Sequence, residues 1–121
     1  MEKEFVSYEQ AILLKTIGFN VKCIAYYNAD PNLDRPYLNM VEPFEHEWCV
    51  SAPLKQQVFR WFREKYEVYP TIMTETADDS LYFRFIAEGG PEWLSFSKIY
   101  YTYEEAENAC IDKLIELAKQ L

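Results

Sequence analysis

His46 is the single histidine of this chain, with Glu45 and Glu47 on either side and Cys49 three residues on. An imidazole, a thiolate and a carboxylate are donor types that hold zinc, and an imidazole beside a thiol makes a cysteine nucleophilic. Neither chemistry closes here. Structural zinc wants four ligands with paired spacings, and Cys23 and Cys110 lie far off in sequence. Residues three apart in an extended segment point to opposite faces, and Pro43 and Pro53 leave little room for a helix that would turn His46 toward Cys49. The expectation is an exposed loop histidine whose pKa the flanking carboxylates raise.

The paired acids Asp78-Asp79 and Glu104-Glu105 suit a turn and a helix N-terminus better than general acid–base work. Gly89-Gly90 is followed by Pro91, Glu92 and Trp93, with no lysine and no helix start, so no phosphate-cradling loop is present. Glu107 stands apart, because helical spacing puts it among Ala106, Cys110 and Leu114 on an apolar arc. A carboxylate held there would anchor a ligand or pair with a tyrosine or arginine; the bland alternative is escape along the rim, since unpaired burial is costly. Lys55, Arg60 and Arg63 form a small basic stripe, although Arg60 and Glu64 are four apart and can pair on a helix surface. Tyr26, Tyr27, Tyr37, Tyr69, Tyr82, Tyr100, Tyr101 and Tyr103 are too many for one core. Strand propensity and protein interfaces both favour tyrosine, and Tyr26 and Tyr82 are the candidates for a sticky sheet face. No catalytic, cofactor-binding or metal-binding set emerges.

The elements that would carry these residues must fit one domain spanning 1–121, as the length suggests. Half of the residues are hydrophobic, 17% are aromatic and only three are glycine, which is ample for a packed core. The formal charge of −8 disfavours nonspecific nucleic-acid binding, which rests on lysine and arginine displacing counterions. Cys23, Cys49 and Cys110, odd in number and dispersed, read as free thiols in a reducing compartment. With no basic leader and no apolar run of membrane length, a cytoplasmic protein is expected.

Three helix starts are signalled. Ser7-Tyr8-Glu9-Gln10 is a capping box, and Gly18-Phe19 predicts a Schellman ending near Ile17. Ser51 with Pro53 in the first turn predicts a second helix to about Tyr66, with Leu54, Val58, Phe59, Trp61, Phe62 and Tyr66 on one arc and Gln56, Arg60 and Arg63 opposite. Thr102-Tyr103-Glu104-Glu105, a second capping box, opens a third with a wide apolar arc. Between them the period falls to two. Val21–Tyr27 and Pro36–Val41 predict one strand pair, and Val68–Glu75 and Leu81–Ala87 a second, joined through residues 76–80. Trp48-Cys49-Val50 predicts a short strand, and after a turn at Glu88–Pro91, Leu94–Tyr101 predicts another running into the third helix. The resulting fold class is α+β, a two-layer sandwich of an antiparallel sheet of about four to six strands with three helices, ordered α-ββ-α-ββ(β)-α. The order hints at one α-β-β unit used twice.

Ser7-Tyr8-Glu9-Gln10-Ala11 with Gly18-Phe19 and Cys23-Ile24-Ala25-Tyr26-Tyr27, then Ser51-Ala52-Pro53 with Gln56–Tyr66, then Thr102–Glu107 with Ala109-Cys110 and Lys113–Glu116, resemble a family of small proteins of unassigned activity found in Bacteroidetes bacteria and in their phages and prophages. The resemblance spans most of the chain and implies an intracellular protein of mobile-element origin with nothing catalytic. The expected function is a non-catalytic interaction or accessory factor that binds another protein through an aromatic face or its acidic surface, with homo-oligomerisation left open. The alternatives are a small-molecule binder or enzyme with a pocket near Glu107, and a nucleic-acid accessory protein or acidic DNA mimic using Arg60, Arg63 or a one-sided array of acids.

Overall fold

The computed structural model describes residues 2–40, 47–89 and 93–121. His46 therefore lies outside the described residues, as does part of the Glu88–Pro91 turn. The class is α+β: among the described residues there are three α-helices and two antiparallel sheets, each of three strands. The strands expected in one sheet are thus shared between two. The chain divides into two compact units, Met1–Gln57 and Val58–Leu121.

In the first unit a 3₁₀ turn at Glu2–Glu4 leads to α1, Tyr8–Thr16. Ser7 caps it: its hydroxyl accepts from the Gln10 amide at 3.1 Å and Gln10 Oε1 accepts from the Ser7 amide at 2.9 Å. Gly18, at φ 96°, closes the helix, with the Phe19 amide donating to Leu14 O at 3.0 Å and the Gly18 amide to Lys15 O at 3.1 Å, the two bonds of a Schellman motif. Three short strands follow, β1 (Tyr26–Asn28), β2 (Tyr37–Asn39) and β3 (Cys49–Ser51), in the order β2-β1-β3, with α1 against β3. Phe5, Ala25 and Ala52 form a buried cluster with Tyr27, Leu38 and Leu54 packed on it.

Strand β1 is shorter than the period-two reading predicts. Residues 22–25 alternate in burial, with Cys23 and Ala25 inside and Ile24 59% exposed, but among the described residues they lie outside the paired strand. Side chains take their backbone groups instead: Gln57 Nε2 donates to Lys22 O at 3.1 Å and Cys23 Sγ to Val21 O at 3.2 Å.

The second helix, α2, is Lys55–Tyr66, so Ser51 is not its cap. Ser51 is committed to the β3 ladder opposite Tyr26, and the reciprocal bond passes to Leu54 and Gln57: Gln57 Oε1 accepts from the Leu54 amide at 2.8 Å and the Gln57 amide donates to Leu54 O at 3.0 Å. The apolar arc is as expected, with Val58, Phe59, Trp61 and Phe62 buried and Gln56, Arg60 and Arg63 exposed. Glu67, at φ 55°, takes the left-handed conformation that ends the helix.

In the second unit β4 (Tyr69–Ala77), β5 (Ser80–Gly89) and β6 (Trp93–Phe96) make a sheet in sequence order. The β4–β5 hairpin is tighter than the expected five-residue loop. Ala77 pairs with Ser80, and Asp78 and Asp79 both have positive φ, 50° and 65°, as a type I′ turn requires. The expected strand Leu94–Tyr101 is broken. Pairing resumes at Phe83–Tyr100 after Ile86–Phe96, three residues on along β5 but four on the other side, so one extra residue bulges out. Ser97 Oγ fills the gap, accepting from the Phe85 amide at 2.8 Å and donating to Lys98 O at 2.7 Å.

The last helix, α3 (Tyr103–Lys119), packs on β5 and β4, a helix layer on a sheet. Thr102 Oγ1 accepts from the Glu105 amide at 3.1 Å, as predicted; the Glu105 carboxylate, however, accepts from the Thr102 hydroxyl at 3.1 Å rather than from the cap amide. The wide apolar arc is buried from Ala106 to Ala118. Sheet orders β2-β1-β3 and β4-β5-β6 put different strands at the centre, so the hint of a repeated α-β-β unit is not carried by the topology.

Candidate interaction surface

Residues opposite one another in an antiparallel pair share a face, and alternate residues along a strand take opposite faces. On one face of the second sheet lie Phe85 and Ala87, both buried, and Phe83, whose ring meets Tyr103 of α3 edge-on at 6.1 Å. That is the face α3 covers. The other face is built from rows of register partners: Tyr69 with Glu88, Thr71 with Ile86 and Phe96, Met73 with Arg84, and Glu75 with Tyr82. Beyond the bulge Tyr101 joins the last row, its ring 5.8 Å from that of Tyr82.

This outer face keeps large apolar groups in water. Phe96 is 63% exposed, Tyr69 56% and Tyr101 74%. At its centre Arg84 Nε lies 3.2 Å from Glu75 Oε1, a diagonal ion pair across the strands. The contact lacks hydrogen-bond alignment and leaves the buried Nε–H without an acceptor.

The residues singled out from the sequence are dispersed. Arg60 is exposed and bound to Glu64 at 2.9 Å, and Arg63 is exposed on the same helix. Lys55 is buried at 3% exposure, so the three cations do not form one open stripe. Trp61 and Phe62 beside them are interior, and Lys65 rather than a base covers the Trp61 ring, 4.9 Å from its centroid. Tyr26 is inside the first unit at 5% exposure, its hydroxyl accepting from Asn39 Nδ2 at 3.0 Å, and so is not on an open face. A half-buried Tyr82 sits on the outer face just described.

Glu107 is buried at 7% exposure, where the rim alternative would have left it in water. Tyr103 and Cys110, four residues before and three after, share its side of α3. Burial, and then the Glu107 charge, pushes the Cys110 thiol up to about 12. Tyr103 is raised as well, by burial first and then by Glu107, Cys110 and Glu104. The shallow depressions at the hairpin tip, Thr76–Leu81, and along Arg35–Leu38 are not lined by Glu107. Among the described residues no group of three or more histidine, cysteine or acidic side chains could hold a metal ion, and no helix is long and apolar enough to cross a membrane.

Phe96 and Ile86 are the large apolar members of the outer face that the sequence reading did not single out. Alternation in Leu81–Ala87 shows that the strand has two faces, but which face the helix takes is set by where α3 packs. Comparison with protein-family models, with curated proteins and with solved structures finds no match for this chain.

Proposed function

We propose that this chain is a non-catalytic protein-interaction factor that docks a partner on the outer face of its second sheet. The observation that carries the reading is Phe96, 63% exposed in a row with Ile86 and flanked by the exposed rings of Tyr69 and Tyr101. Aromatic side chains supply contact area at low entropic cost and are enriched in interface cores. The part-exposed Arg84 guanidinium at the centre of the face would pair with a partner's carbonyl or carboxylate. Glu75 and Glu88 on the same face, with a formal charge of −8 on the chain, would steer a basic partner. On this reading the factor works in a bacterial cytoplasm, as the resemblance to Bacteroidetes and phage proteins implies, a setting that suits free thiols at Cys23, Cys49 and Cys110.

Affinity capture from a Bacteroidetes host lysate tests the reading, comparing wild type with Phe96→Ser and Tyr101→Ser. Both variants should keep the wild-type thermal midpoint, because both side chains are exposed, and both should lose the specific partner. Retention of the same partner by both variants would count against the outer face. The second reading, ligand chemistry at α3, rests on the buried Glu107 carboxylate beside Cys110 and Tyr103. Saturable metabolite uptake that vanishes in Glu107→Gln while Phe96→Ser binds normally would favour it.

A further inference from the structure

Among the described residues strand β4 is an edge of its sheet, and the hydrogen bonds of β5 show which of its backbone groups point away from that sheet. Phe83 exchanges both backbone bonds with Tyr100, at 2.8 and 2.7 Å, and Phe85 O accepts from the Ser97 amide at 3.0 Å. Odd-numbered residues of β5 thus turn toward β6. Its even-numbered residues must bond β4, where their register partners are Tyr69, Thr71, Met73 and Glu75. By the same alternation Ile72, Thr74 and Thr76 point N–H and C=O away from the sheet. Pro70 shares that outward set, where its missing N–H costs no ladder bond.

Natural sheets guard such an edge with lysine, a bulge or a covering element. Here β4 runs Tyr69–Ala77 in unbroken register with β5, and Thr71, Thr74 and Thr76 are exposed. Its one charge, Glu75, faces Arg84. Both ends of the edge are acidic: exposed Glu67 and Glu88 flank Tyr69, and exposed Asp78 and Asp79 form the opposite tip. Lys65, two residues before Glu67 in the chain, lies over the Trp61 and Tyr66 rings. Antiparallel pairing with a second copy would set Asp78 and Asp79 against Glu67 and Glu88 twice over, acid on acid. A strand with cations at its ends meets the opposite field.

We infer that the β4 edge takes an extended segment of a partner protein as a fourth strand, uncharged in the middle and carrying lysine or arginine at both ends. The inference rests on the proposed role in protein binding and names the mode and chemistry of the contact. Ile72, Thr74 and Thr76 supply the ladder bonds, and the acidic ends select the sign of the flanks.

The test uses the whole chain, isotope-labelled, and a synthetic peptide of 9 residues, the length of β4. Valine and threonine alternate in its middle, with two lysines at each end; a control carries glutamates instead. In the free protein the Ile72, Thr74 and Thr76 amides should exchange rapidly with solvent and those of Thr71, Met73 and Glu75 slowly. The lysine peptide should slow the first set by about tenfold or more and bind about tenfold more tightly than the glutamate peptide. Thr74→Pro, which removes an outward N–H and no β5 bond, should abolish the protection. Should that variant misfold, exposed Thr76 gives a second reading: Thr76→Lys weakens and Thr76→Glu strengthens binding of the lysine peptide.

No binding of the lysine peptide, binding without protection of those three amides, or equal affinity for both peptides would overturn the inference. So would protection that grows with protein concentration alone, the sign of self-pairing. The peptide assay reads β4 amides and the capture assay reads Phe96, so failure of the edge and failure of the outer face are separately visible.

Discussion

Cys110 and Cys23 show how burial tunes single groups in this fold. Both are almost wholly inside, and their thiols rise from 9.0 to about 12 and about 11, by burial in each case, with Glu107 adding to Cys110. Because the folded values lie above 9.0, the unfolded chain loses these protons first. Stability from this source is therefore present below pH 9 and falls as pH rises through 9 toward 11 and 12, by about 1.4 kcal/mol per pH unit for each thiol. Denaturant midpoints measured from pH 8 to 11 should drop, and Cys110→Ala should flatten the drop; an unchanged slope would refute the link. Ser97 offers a second residue-scale case. Its hydroxyl is the acceptor for the Phe85 amide at the bulge, so Ser97→Ala should cost about 1–2 kcal/mol in urea unfolding, whereas a surface serine would cost almost nothing.

At the scale of elements, α2 is an amphipathic helix whose two faces differ in energetic weight. Phe62 is fully buried and Trp61 is 7% exposed, with the two rings edge-on at 5.0 Å. Phe62→Ala and Trp61→Ala should each lower stability by about 3–5 kcal/mol. Arg60→Ala should change it by less than about 0.5 kcal/mol, since its pair with Glu64 is 73% and 66% exposed. Equal midpoints for wild type and Phe62→Ala would mean that the packed face is misassigned. The end of β5 is pinned against the end of the same helix. A Cβ on Gly89 would stand 2.3 Å from Glu67 O and 2.6 Å from Val68 Cα, backbone atoms with no room to yield. Gly89→Ala should destabilise by about 2–4 kcal/mol in denaturant unfolding, a cost of overpacking rather than of lost contacts.

For the whole molecule, charge is the property that acts at a distance. A formal −8 with Lys55 buried and Arg60 neutralised by Glu64 leaves little to displace counterions from a phosphate backbone. Fluorescence anisotropy with a labelled DNA duplex near 0.1 M salt should show no saturable binding. Micromolar binding that weakens with salt would reverse this and return Arg63 and Lys65 to consideration. The acidity leaves the fold itself unconstrained, because solvated surface charge is compatible with either sheet.

What the amino-acid sequence determined by itself is local. The caps at Ser7 and Thr102, the glycine stop at Gly18 and the apolar arc of α2 were legible because their causes lie within a few residues: a side chain reaching an amide three positions on, a residue that tolerates positive φ, a 100° turn per residue. Ser51 misled because the same serine can cap a helix or pair in a strand, and only the presence of β1 beside it decided between them. Tertiary structure decided the rest. It divided the strands between two sheets, drew Tyr26 inside, buried Glu107, and chose which face of β5 α3 covers. Those choices depend on contacts between residues far apart in the chain, where period-two patterns show that a strand has two faces and are silent on which one meets water.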